Sequence, residues 1–144
     1  MKRHKIIKYL HLGATKELEE RFKRIKLNSD IDSIEKELDK LYEKSRKYRK
    51  AKEQIESADT ELENGKEKIM EAKAEFEVAY QGSSSPKKTE CINGMDNIEN
   101  QIMSSQEKLR RIKAEIIVKL EEIGIETDSK EKKLESLRSQ LAAL

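Results

Sequence analysis

One interruption constrains this chain more than any other feature. Tyr80-Gln81-Gly82-Ser83-Ser84-Ser85-Pro86-Lys87-Lys88 separates two long stretches in which apolar residues recur every three or four positions. The segment holds the only proline in 144 residues and the densest run of small, helix-disfavouring residues. A single breaker between two heptad-like arms of nearly equal length predicts an all-α fold. The expected form is a long antiparallel coiled-coil helical hairpin over residues 31–144, with its turn at about 80–90 and its tip near Ser84.

Composition points the same way. Charged residues make up 42% of the chain, aromatics 4%, and tryptophan is absent. That is too little bulky apolar material for a compact globular core, because buried apolar side chains supply most of the folding free energy. Disorder usually couples low hydrophobicity to high net charge, yet here 31 basic and 29 acidic residues nearly cancel. A chain rich in Ala, Glu, Lys, Leu and Arg with heptad periodicity is the coiled-coil exception. The single Cys91 forms no internal disulfide and no cysteine metal cluster, which fits a reducing cytoplasm. No apolar run approaches the roughly 20 residues needed to cross a bilayer. The start, MKRHKIIKYLHLGA, pairs a basic beginning with a short apolar stretch, but Lys8 and His11 interrupt it and argue against a signal peptide.

The apolar stripes can be followed along both arms. The first runs Ile31, Ile34, Leu38, Leu41, Ser45, Tyr48, then after an extra three-residue step Ala51, Ile55, Ala58, Leu62, Gly65, Ile69, Ala72, Phe76, Ala79. The second runs Cys91, Met95, Ile98, Ile102, Ser105, Leu109, Ile112, Ile116. It then shifts phase to Leu120, Ile123, Thr127, Lys130, Leu134, Leu137, Leu141, Leu144. Alternating steps of three and four keep one stripe facing a partner, and the skips predict local changes in supercoil.

If the chain folds back about Ser85, the numbers of facing residues should add to about 170. Gly65 then faces Ser105, Ser45 falls near Thr127, Phe76 meets Gly94 and Met95, and Ile34 meets Leu137. The competing fold breaks the arms at Asn64-Gly65 and Ile123-Gly124 to give a four-helix bundle. Asn-Gly is a good turn signal, and glycine costs about 1 kcal/mol inside a helix. Both glycines nevertheless lie in or beside a stripe that continues on either side without a linker, which favours the long hairpin.

Residues 1–30 form a different, basic segment with nine Lys/Arg against four Asp/Glu. Thr15 is positioned to cap a short additional N-terminal helix through about Leu27, with Leu18, Phe22 and Ile25 on one face. Glu17 with Arg21, Glu19 with Lys23 and Glu20 with Arg24 are i,i+4 pairs in the favourable order. Asn28-Ser29-Asp30 then offers caps for the next helix. Lys2, Arg3 and Lys5, with Arg21, Lys23, Arg24 and Lys26, form a basic patch that suits phosphates or an anionic membrane. Its acidic neighbours weaken the field, and only Tyr9 and Phe22 could stack on single-stranded nucleic acid. Nucleic acid and anionic membrane are therefore the less favoured partners.

The residues do not assemble a catalytic constellation. His4 and His11 lack a carboxylate or cysteine at ligand spacing, so no metal site is expected. Gly82-Ser83-Ser84-Ser85 lacks the Gly-Lys-Ser/Thr of a phosphate loop, so no nucleotide or other cofactor is expected. Cys91 reads as a small buried hydrophobe near the tip. The chain is expected not to be an enzyme, but to act through helical packing as a homo- or hetero-oligomer.

An aromatic-Xaa-Gly turn joining two long amphipathic helices resembles the Trp-Xaa-Gly helical-hairpin proteins of Gram-positive type VII secretion. The nearest variety is the YwqH-like small proteins associated with LXG-domain toxins. Tyr80-Gln81-Gly82, followed by small polar residues, carries the likeness. Tyrosine replaces tryptophan, and the Tyr-Xaa-Xaa-Xaa-Asp/Glu export signal is missing: Arg46, Lys52 and Ser84 stand four residues beyond Tyr42, Tyr48 and Tyr80. The resemblance implies an accessory, targeting or chaperone-like subunit that assembles with a partner's helical domain and leaves the cytoplasm only as part of a complex. The alternative is a structural or adaptor coiled coil acting as scaffold or spacer. A prefoldin-like chaperone arm ranks last, since about ten linking residues leave no room for β-hairpins.

Overall fold

A computed structural model describes the backbone of residues 2–144 and the side chains of residues 15–144. Two helices account for nearly all of it: α1, Lys2–Ala79, and α2, Pro86–Ala142. They pack against each other as a helical hairpin. Gly65 and Gly124 lie inside α1 and α2, so neither breaks an arm and the four-helix alternative is not adopted. The N-terminal amphipathic segment is helical, but as part of α1 and not as a separate element. Thr15 and Asn28-Ser29-Asp30 are all helical. Each of these residues costs well under 1 kcal/mol in a helix interior. The unbroken spacing of Leu27, Ile31 and Ile34 toward α2 outweighs that local preference for capping.

The chain divides into two compact units. The terminal unit comprises Met1–Ser45 with Glu122–Leu144, and the turn unit comprises Arg46–Glu121.

In the terminal unit Ile31, Ile34, Leu38 and Leu134 form a buried cluster, with Leu137 and Leu141 packed against it. Leu41 and Ile123 are buried as well. Full burial of one such side chain is worth about 1.5–3 kcal/mol. Ion pairs line the cluster: Lys130 Nζ lies 2.6 Å from Glu37 and a guanidinium nitrogen of Arg138 2.8 Å from Glu35. The Tyr42 hydroxyl donates to Glu131, and the Arg24 guanidinium donates to the Leu144 carbonyl at 3.0 Å.

The turn unit is built differently. Its line of contact on α1 passes through half-buried Tyr48, Lys52, Ile55, Asp59, Leu62, Lys66, Ile69, Lys73 and Phe76. On α2 it passes through Ile92, Met95, Glu99, Ile102, Gln106, Leu109, Lys113 and Ile116, of which only Gln106 and Ile116 are buried. Both lines step by three and four without a skip, so the expected phase shifts around 45–51 and 116–120 do not occur. Ile98, Ile112, Ser105 and Cys91, expected in the seam, are exposed. Glu99, Gln106 and Lys113 take their place. A two-helix seam has water on both edges, so long polar side chains can lay their stems along it and keep their heads wet. An apolar count overlooks such residues.

The expected register holds within each unit. Glu56 pairs with Lys113, Glu63 with Gln106 and Lys73 with Asp96 in the turn unit. Glu37 pairs with Lys130 and Glu35 with Arg138 in the terminal unit. In every case the two numbers add to about 170, as an antiparallel pair turning near Ser85 requires.

Candidate interaction surface

At the turn, α1 ends on Ala79 and the Tyr80 amide still donates to the Phe76 carbonyl at 3.0 Å. Gly82 has φ +80°, the left-handed conformation that follows many helix ends and that a Cβ would strain. Ser85 caps α2: its hydroxyl accepts from the Lys87 amide at 3.3 Å, and Pro86 opens the helix where a missing N–H costs nothing. Lys88 Nζ reaches back to the Tyr80 carbonyl at 2.9 Å. The Phe76 and Tyr80 rings stand 4.6 Å apart. Tyr80, Gln81 and Gly82 are all exposed, so the turn presents them to solvent while the backbone explains the glycine.

The remaining candidate residues fall into three groups. Ile31, Ile34, Leu38, Leu41, Ile116, Ile123 and Leu134 are buried, whereas Tyr48, Ile55, Leu62, Ile69, Phe76, Ile102, Leu109, Leu137 and Leu141 are half-buried. Ile98 and Ile112 remain 48% and 46% exposed, off the contact line between the helices. Of the basic patch, Arg21, Lys23, Arg24 and Lys26 are exposed, with Arg24 engaged at the Leu144 carbonyl. Lys2, Arg3 and Lys5 lie outside the residues whose side chains are described.

Electrostatics separate one edge of the turn unit from the other. The Lys73 ammonium lies against Asp96, and the hydrogen bond raises its pKa above the ordinary 10.5. Gln106 donates to Glu63 at 2.8 Å, which holds that carboxylate below its ordinary 4.5. Lys113 lies 3.2 Å from Glu56. The polar seam residues of the turn unit thus turn toward one edge, marked by Glu56, Glu63 and Asp96. Sequence reasoning missed these pairs, although a signal was present: Lys52, Asp59, Lys66 and Lys73 recur with the heptad period. Asp59 is the exception among them, for its Oδ1 is buried without a hydrogen-bond donor.

The fold defines a helical hairpin, and among the described residues no helix is long and apolar enough to cross a membrane. Comparison with known protein families, with curated proteins and with solved structures gave no match for this chain.

Proposed function

We propose that the chain is a non-enzymatic interaction module that works by packing its helices against another protein. The observation that carries this reading is the exposure of large apolar side chains at helical spacing on a chain poor in them. Leu18, Phe22 and Ile25 are 51%, 68% and 65% exposed on α1, and Ile98 and Ile112 stand out on α2. Such surface on a hairpin favours contact with further helices.

The narrower form of the proposal is an accessory subunit of a type VII-secreted LXG-type toxin, resident in the cytoplasm and exported only as part of a complex. The exposed Tyr80-Gln81-Gly82 turn supports it by presenting an aromatic beside the chain reversal. Co-expression with an LXG-type helical domain tests it, with stoichiometric co-purification through size-exclusion chromatography as the expected result. Recovery of the chain alone or bound only to itself would favour the structural or adaptor coiled coil instead.

A further inference from the structure

We infer that the turn unit pairs with a second copy of itself, tip beside tip, through the edge that carries Ile98 and Ile112. This inference rests on the reading that the chain works by helical packing and names one surface and one occupant for it. The polar seam residues Lys73, Gln106 and Lys113 lean toward Asp96, Glu63 and Glu56 on one edge. In an antiparallel helix pair, the positions immediately preceding those polar seam positions flank the opposite edge. They are occupied by Ala58, Gly65 and Ala72 on α1 and by Ile98, Ser105 and Ile112 on α2.

That edge continues the apolar stripe of Leu62, Ile69, Ile102 and Leu109. Each helix therefore carries two apolar or small positions in every seven, and the contact between the helices covers one of them while leaving the other, the Ile98 and Ile112 edge, to solvent. The edge is open. Ile98 and Ile112 are nearly half exposed, and a Cβ built on Gly65 would meet nothing within 4 Å.

A second copy fits this edge in one orientation. The register puts Ile98 level with Ala72, Ser105 with Gly65 and Ile112 with Ala58. A two-fold axis along the hairpin lays α2 of one copy beside α1 of the other at the same level, so that each isoleucine meets an alanine of its mate. The rim is then complementary in charge, because exposed Lys108 stands level with exposed Glu61 of the second copy, twice over. The reversed orientation sets isoleucine on isoleucine and alanine on alanine, overfilling one layer and emptying the next.

Sedimentation equilibrium on the full chain should give a dimer. Ile98→Glu with Ile112→Glu should leave a monomer whose helical circular dichroism is unchanged. Lys108→Glu should weaken the dimer about tenfold, and adding Glu61→Lys should restore it. These two surface changes keep the test decisive if the isoleucine variant misfolds. Spin labels on a Glu90→Cys, Cys91→Ser variant, at an exposed position off the proposed edge, should lie about 30 Å apart across the two-fold, given interaxial spacings of about 10 Å. Tips pointing oppositely would separate them by about 40 Å at 1.5 Å per residue. A monomer at all concentrations, a dimer indifferent to these substitutions, or the longer label distance would overturn the inference. A monomer that still co-purifies with an LXG-type helical domain overturns only this pairing and leaves the broader proposal standing.

Discussion

The terminal unit and the turn unit use the same two helices and the same antiparallel register, yet they are held together differently. Ile31, Ile34, Leu38 and Leu134 interlock as a buried apolar cluster in the first. In the second, Lys52, Asp59, Lys66 and Lys73 alternate with Ile55, Leu62 and Ile69, and its most buried residue is Gln106, at 3% exposure. Polar seam residues lower stability but restrict which registers are tolerated. The terminal unit is thus the anchor, and the turn unit trades strength for alignment and a free apolar edge.

The sharpest way to break this comparison is a matched pair of truncations. Leu38→Ala should cost about 2–4 kcal/mol in urea unfolding followed by circular dichroism, because a buried cluster collapses poorly around the gap. Ile69→Ala in the turn unit should cost about half as much, since its site is already partly wet. Equal losses would erase the distinction between the units.

Asp59 offers the opposite sign. Its buried Oδ1 lacks a donor, so Asp59→Leu should raise stability by about 1 kcal/mol, seen as a higher melting temperature. A lower one would mean that the carboxylate fixes the register of the turn unit.

Acid should loosen both units. The Lys130 hydrogen bond and charge hold Glu37 below its ordinary 4.5, and the Gln106 hydrogen bond does the same for Glu63. A lowered carboxylate pKa gives stability that is present above 4.5 and lost as pH falls through the still lower folded values. Lys73 and Lys130, raised above 10.5, give stability that is lost as pH climbs beyond that value. Melting temperature should therefore be flat near neutrality and fall at both extremes. Glu63→Gln should reduce the acid-side change in the turn unit without altering the alkaline side.

The smallest effect is expected at the rim. Arg138→Ala removes an exposed pair with Glu35 and should cost at most a few tenths of a kcal/mol, an effect that added salt should abolish.

Much of this architecture was legible in the sequence. Pro86 and Gly82 located the turn, and folding the chain back about Ser85 gave the register, because the breaker and the heptad are local signals with strong steric causes. The contact line of the turn unit was less legible. Ile98 and Ile112 looked like seam residues because an apolar count cannot tell which of two adjoining stripes meets the partner helix. Glu99, Gln106 and Lys113 occupy the seam through their stems and reach carboxylates or solvent with their heads. The expected break at Asn28-Ser29-Asp30 failed for a related reason, since capping propensity yields to a packing line that continues through it.

The turn also sets an order of assembly. Lys73 and Asp96 are separated by 23 positions in the chain, Arg138 and Glu35 by 103. Closing the longer loop first costs about 1.3 kcal/mol more in chain entropy, so the hairpin is expected to zip from the reversal at Gly82 outward. Substitutions in the turn unit should then slow refolding, while Leu38→Ala should mainly hasten unfolding, and stopped-flow kinetics showing the reverse would refute this order. On that route the polar layers act as a proofreading step: misaligned arms of the hairpin stall on unmatched charges before the greasy terminal layers can lock them in.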